Sequence, residues 1–159
     1  MQEWVTSLEQ RLTAMEDREA IRDLIISYGR LADAGHADAV AQLWTADGTY
    51  EVVGFATATG HAEIASLITG PVHQALMANG CAHVMGQLNV ELSGDSATAR
   101  GHSLVMRHKS EAAEPGTFEV YRASANCWTL VRTAEGWRVS HRANSLINGN
   151  EAARILLAP

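Results

Sequence analysis

Apolar side chains between Asp17 and Asp33 recur at three- and four-residue steps, with Ile21, Leu24, Ile25, Tyr28 and Leu31 on one stripe. That spacing predicts an amphipathic helix. Gly35 predicts its stop, because a left-handed residue there closes the last turn. Leu8, Leu12 and Met15 continue the stripe towards the amino terminus in imperfect phase with Ile21, so a break is expected near Glu16 to Arg18. Asp33 falls in the last turn, at the negative end of the helix dipole. A carboxylate there is either solvated or answered by a cation or a proton donor.

Beyond Gly35 the pattern predicts a short helix from Ala37 to Trp44, a turn at Thr45-Ala-Asp-Gly48 and a strand from Thr49 to Phe55. Gly60 to Met77 reads as helical, with Ile64, Leu67 and Ile68 on its apolar face and a division or kink at Pro71. From Ala82 onward the period changes to two. Strands are predicted at Ala82–Leu92, Ala97–His108, Thr117–Arg132 and Trp137–Ile147. Their connections are Ser93-Gly94-Asp95, Lys109–Gly116 and Thr133-Ala-Glu-Gly136. Helices first and a strand meander afterwards predict an α+β fold, a curved sheet wrapped against N-terminal helices. The tail carries a further short helix, Glu151–Leu157.

Composition narrows the function classes. A chain of 159 residues with 47% hydrophobic and 19% charged residues is expected to form one domain with a sizeable core. Its formal charge of -6 and lack of a basic run argue against nucleic acid. No apolar run is long enough to span a membrane, and MQEWVTSLEQR does not read as a secretion signal. A cytoplasmic location is the expectation. Cys81 and Cys127 form no metal motif, no glycine-rich phosphate cradle is present, and Ser-His-Asp chemistry lacks its nucleophile elbow. Neither a metal nor a cofactor is expected.

Two strands place histidines among large apolar residues. In the first, His83 and Met85 share a face with Gln87, Asn89 and Glu91, while Val84, Leu88, Val90 and Leu92 form the other. In the second, His102, Leu104, Met106 and His108 alternate with Ser103, Val105 and Arg107. An imidazole in an apolar setting suits proton transfer near neutral pH. Each of the histidines taken singly reads first as a surface or core residue satisfied by a carbonyl. His102 and His108 could converge in space, without a compelling metal-ligand spacing.

A helix ending in Asp33, the turn Trp44-Thr-Ala-Asp-Gly48 before a strand, His83 opening a long strand and the closing Gly136-Trp-Arg-Val139 together resemble the SnoaL-like branch of the NTF2-like superfamily. Within it the chain is most similar to scytalone dehydratase and lindane dehydrochlorinase. The resemblance covers Asp17 to Ile147 and implies a cone-shaped, cystatin-like curved sheet, mixed or antiparallel, around a deep cavity. It also implies an Asp-His dyad, which falls on Asp33 and His83. The dehydratase further implies a tyrosine on the first strand, matching Tyr50, and a second histidine, matching His108. The tyrosine that precedes the dehydratase's aspartate is here Ala32, with Tyr28 one turn earlier. Its pocket asparagine has Asn126 as candidate, and an active-site arginine of the dehydrochlorinase has Arg132.

The resemblance implies a cofactor-independent lyase that removes water from a small, mostly apolar cyclic carbonyl or hydroxy compound. His83 would act as base, Asp33 would set its tautomer, Tyr50 would polarise the carbonyl and His108 would serve the departing hydroxyl. The expected lining is Tyr28, Phe55, Met85, His102, Leu104, Met106 and Asn126. A ketosteroid-type isomerase or a dehydrohalogenase would use the same dyad, and a non-catalytic binding protein would use it structurally. Val84, Leu88, Val90 and Val105, read as outward-facing, make a homodimer or homotrimer plausible.

Overall fold

The structure, a computed structural model, describes residues 1–109 and 116–158. The interior of the predicted Lys109–Gly116 connection lies outside them. Elements run α1 (Gln2–Asp33), α2 (Ala37–Ala41), β1 (Trp44–Val52), β2 (Ala56–Thr59), α3 (Gly60–Thr69), α4 (Pro71–Asn79), β3 (Cys81–Ser93), β4 (Ser96–His108), β5 (Phe118–Thr133), β6 (Gly136–Leu146) and α5 (Glu151–Leu157).

The fold is α+β. One six-stranded sheet has the order β2-β1-β6-β5-β4-β3. The meander from β3 to β6 is antiparallel, β2 pairs antiparallel to β1, and β1 joins β6 in parallel. The sheet is therefore mixed, curved and unclosed. α1 is unbroken through Glu16–Arg18, contrary to the expected break. Its inward stripe is Ile21, Ile25, Tyr28 and Ala32, with Leu24 and Leu31 partly buried against the same core. Leu8, Leu12 and Met15 are exposed, so the amino-terminal turns project beyond the sheet. α1 stops as expected: Gly35 has φ +71°, its N–H donates to Ala32 O at 3.0 Å, and His36 N–H donates to Leu31 O at 3.0 Å. These are the paired bonds of a Schellman cap.

Pro71 divides the next helical stretch as expected, following Gly70 at the start of α4, where a missing N–H costs nothing. Three boundaries differ. α2 ends at Ala41 rather than Trp44. β1 begins at Trp44 rather than Thr49, because Trp44 pairs with Val139 of β6; its indole Nε1–H donates to Thr49 O at 3.1 Å. Phe55 lies in the turn between β1 and β2 rather than in a strand.

The faces of two strands differ more seriously from expectation, and a third strand changes phase. A register shift between Met85 and Leu88 in β3 moves its inward set from His83 and Met85 to Leu88, Val90 and Leu92. Bulges put one residue too many on one side and reverse the alternation beyond it. Val84 alone of the expected outward apolar group is exposed, since Leu88 and Val90 join the core and Val105 is buried. In β4 the inward residues are the small ones, Ala97, Ala99, Gly101 and Ser103, followed by Val105. A Cβ on Gly101 would lie 2.6 Å from Gln87 O, so this part of the concave face has no room for larger side chains. β6 changes phase through the shift between Thr129 and Leu130 of its neighbour β5. Val139 points inward before it, Arg142 and Asn144 after it.

Gly29 sets the distance between helix and sheet, because a Cβ there would overlap the His83 carbonyl oxygen. Gly29→Ala is expected to destabilise the protein by about 1–3 kcal/mol through overpacking, despite alanine's better helix propensity. Urea unfolding measures this, and an unchanged or raised midpoint would show that α1 does not lie this close to β3.

Candidate active site

Asp33 stands in the last turn of α1 and His83 near the start of β3. The carboxylate receives the His83 backbone N–H on Oδ2 at 2.8 Å and meets ring Nδ1 with Oδ1 at 2.6 Å. A proton donor therefore answers the carboxylate at the helix terminus, one of the two options left by its position. With Nδ1 engaged on Asp33, Nε2 is the ring nitrogen left for the cavity that His83 lines.

That cavity measures about 560 Å³. Its interior wall is polar at one level and apolar at the next. Tyr28, Tyr50, Arg142, Ser103, Ser124 and Asn144 face it together with Met85, Val105, Val72 and Leu76, and Phe55, Tyr121 and Arg122 also border it. Register explains the polar rows: Tyr50 pairs with Arg142, which pairs with Trp128, and Val52 pairs with Asn144, which pairs with Asn126.

Arg142 is 2% exposed, and its guanidinium lies 4.3, 4.4 and 4.1 Å from the ring centres of Tyr28, Tyr50 and Trp128. Cation–π contact with three rings offsets part of the cost of burying the charge. Asn126 Oδ1 accepts from Arg142 Nε at 3.1 Å, from Arg142 Nη2 at 2.8 Å and from Asn144 Nδ2 at 3.0 Å, while Asn126 Nδ2 donates to Ser103 Oγ at 2.8 Å. Burial holds the Tyr28 hydroxyl well above its ordinary pKa, as does neighbouring Tyr50, with Arg142 opposing both. Tyr28 is thus a neutral donor throughout the accessible pH range.

Cys81 and His73 flank the pair. The Cys81 thiol donates to Asp33 Oδ1 at 3.4 Å, and burial followed by the Asp33 charge pushes its pKa up to about 11. The His73 ring lies 5.3 Å from that of His83, and its Nε2 meets Ala32 O at 2.8 Å. Ligand atoms of Asp33, Cys81 and His83 lie within 4.8 Å of one another. Asp33 Oδ1 and His83 Nδ1, however, sit at proton-sharing distance, so a metal would have to displace that proton.

The structure brings Asp33, His83, Tyr50, Tyr28, Met85 and Phe55 to this one site, with Phe55 at the rim and 89% exposed. Asn126 lies behind the wall, buried, and reaches the cavity through Arg142 and Asn144. Four expected residues do not belong. His102, Leu104, Met106 and His108 occupy the opposite face of β4 from Ser103 and Val105, because the small residues of that strand point inward. His102 borders a groove with Gln87, Asn89 and Arg100, and His108 packs its ring against Phe118 at 5.3 Å. Arg132 is also remote, bound to Asp17 at 2.7 Å and to Asp95 at 3.1 Å. Arg142 and Arg122 escape a sequence reading, since strict alternation from Trp137 and Val139 puts Arg142 outside. The one available signal is an arginine between apolar positions of a long strand.

The hydrogen bonds have a consequence for acid stability. Burial pushes the Asp33 pKa up, but the His83 ring and backbone bonds, the His83 charge and the Cys81 thiol outweigh it, leaving the group below its ordinary 3.8. A depressed folded-state pKa contributes stability that is present above 3.8 and is lost as pH falls through the lower folded value. Thermal melts of Asp33→Asn and the parent should therefore converge as pH drops below 3.8. A constant gap between them across that range would deny the linkage.

Residues 13–143 match the SnoaL-like domain family. No curated protein matches the chain. Among solved structures, an NTF2-like protein with a cystatin-like fold from Novosphingobium aromaticivorans is 55% identical, with 97% of each chain covered and a TM-score of 0.91. A scytalone dehydratase-like protein from the same species is 17% identical over 84% of this chain and 86% of its own, with a TM-score of 0.68. ActVI-ORFA of Streptomyces coelicolor is 18% identical over 82% of this chain and 97% of its own, with a TM-score of 0.69. At such identities the last two show a common fold alone. The domain match and the near full-length likeness to the first structure establish that this chain belongs to the SnoaL-like domain family of the NTF2-like superfamily.

Proposed function

We propose that the protein is a cofactor-independent lyase that dehydrates a small cyclic carbonyl compound by proton abstraction. The observation carrying this reading is the Asp33–His83 bond at 2.6 Å, which engages Nδ1 and leaves Nε2 to the cavity. In that tautomer Nε2 is a base, and Asp33 stabilises the imidazolium that forms.

His83 Nε2 removes a proton from the carbon next to the substrate carbonyl. The electron pair moves to the carbonyl oxygen, and Tyr50, beside Tyr28 and the Arg142 charge, donates to the enolate as it develops. Preorganised donors backed by a buried cation are most effective where bulk water is excluded. Collapse of the enolate then expels the β-hydroxyl, and the imidazolium returns its proton to that group. The products are water and a conjugated double bond, with His83 neutral again. Assigning both transfers to one imidazole replaces His108, whose ring packs against Phe118 on the other face of β4. Delivery of the proton to a different carbon instead would make the enzyme an isomerase, and loss of halide would make it a dehydrohalogenase.

Expected outcomes can be read with β-hydroxy cyclic ketones, following enone absorbance and, in deuterated water, loss of the α-proton signal by NMR. His83→Ala and Asp33→Asn should each lower the rate by at least about a hundredfold. Tyr50→Phe should cost about ten- to a hundredfold, since Tyr28 remains as a donor. A folded His83→Ala protein with parental activity, or a parent that neither exchanges the α-proton nor forms an enone across the panel, would remove this reading.

A further inference from the structure

Arginines on the sheet divide by what accepts from them. On the outside, Arg100 meets Glu91 at 3.3 Å, Arg107 meets Glu119, Arg132 meets Asp17 and Asp95 at 2.7 and 3.1 Å, and Arg138 meets Glu135 at 3.1 Å. The two that line the cavity, Arg122 and Arg142, meet no carboxylate among the described residues. Arg122 donates Nε–H to Ser124 Oγ at 2.9 Å and Nη2–H to Asn144 Oδ1 at 3.0 Å, both neutral acceptors. Arg142 donates to the Asn126 amide oxygen, and among the described residues its buried Nη1 has no hydrogen-bond partner.

Among the described residues no Asp or Glu borders the cavity. Asp33, beside the cavity-lining His83, is committed to that residue by two bonds. In a chain of formal charge -6, this pocket therefore holds two guanidiniums with no carboxylate counter-ion among the described residues. A low-dielectric site with uncompensated positive charge favours an anionic ligand, because the ligand supplies the charge the protein withholds. The two cations are also tied together through Asn144, which accepts from Arg122 and donates to the Asn126 oxygen that holds Arg142. Fixed by neutral amides, the guanidiniums keep their orientation without losing their field. Arg122 stands opposite Val105, which is paired with His83, at the partly exposed end of the wall.

We propose that the substrate carries a carboxylate on its ring system and that Arg122 is the residue that selects for it. The proposal rests on this cavity being the substrate site of the reaction above, and it adds the charge class of the ligand. Arg122 presents planar donors suited to a carboxylate. Arg142 lies deeper and contributes charge rather than contact.

Isothermal titration with 2-naphthoate and its uncharged isostere 2-naphthamide tests the proposal without any turnover. The parent protein should bind the acid at least about tenfold more tightly than the amide. Arg122→Gln should abolish that preference while leaving amide affinity unchanged, and Arg122→Lys should retain part of it. Circular dichroism melts establish that both variants are folded. An amide bound as well as the acid, a folded Arg122→Gln protein that still prefers the acid, or no acid binding at millimolar concentration would each overturn the proposal. Asp33→Asn separates the two readings. The preference for the acid should persist in that variant, whereas failure of the elimination assay alone would leave anion selection standing.

Discussion

A single carboxylate holding both the backbone and the ring of His83 is the contact on which the architecture of the site depends. Oδ2 takes the main-chain N–H at 2.8 Å while Oδ1 meets Nδ1 at 2.6 Å. The side chain is thereby fixed in both position and tautomer. Two features of α1 make this possible. The Schellman cap at Gly35 ends the helix just after Ala32, which places Asp33 beside β3. Gly29, a turn earlier, removes the Cβ that would collide with the His83 carbonyl. A helix half an ångström further from the sheet would lengthen both bonds, and hydrogen-bond strength falls steeply beyond such distances.

Around that contact the interior is arranged by charge as much as by volume. Trp44, Trp128, Tyr28 and Tyr50 form a cluster of rings with centres 5.8 to 6.3 Å apart, and Arg142 sits among them. An arginine in such a place is ordinarily paired with a carboxylate. Here Asn126, three ring faces and the sheet register replace one. The result is a cavity with guanidiniums on the β5–β6 side and an imidazole on the β3 side, within an acidic protein. Electrostatic asymmetry of this kind stabilises negative charge that appears on a bound molecule, whether it is present from the start or develops during reaction.

Bulges in the sheet are what aim these groups. Without the shift in β3, His83 and Leu88 could not both serve the concave side. Without the shift where β6 meets β5, Val139 could pack in the core only if Arg142 pointed outward. Curvature has a second effect on β4, whose narrow inner surface accepts Ala, Gly and Ser while His102, Leu104 and Met106 turn away. Larger side chains are found where the cone widens, at Met85, Val105 and Arg122.

Local pattern by itself determined a good deal. The three- and four-residue apolar steps of α1, the glycine that ends it, the division at Pro71 and the change to period two after Gly80 are each properties of neighbouring residues. They specified an α+β chain with helices before a meander. Asp33 at a helix end and His83 near a strand start were legible for the same reason, and a family likeness paired them. Tertiary structure alone decided which strand faces look inward. A bulge shifts the phase by one residue with no local mark in composition, and it reverses the fate of every side chain beyond it. In β4 the alternation is regular, and its small residues take the narrow concave face, so Leu104, Met106, His102 and His108 read as cavity residues and are not. Arg142, which no local pattern marks, is among the most buried charged groups described. Parallel pairing of β1 with β6, which sets Tyr50 beside Arg142, joins positions some ninety residues apart. No window of sequence spans that separation, so only the folded sheet brings the hydroxyl and the cation together.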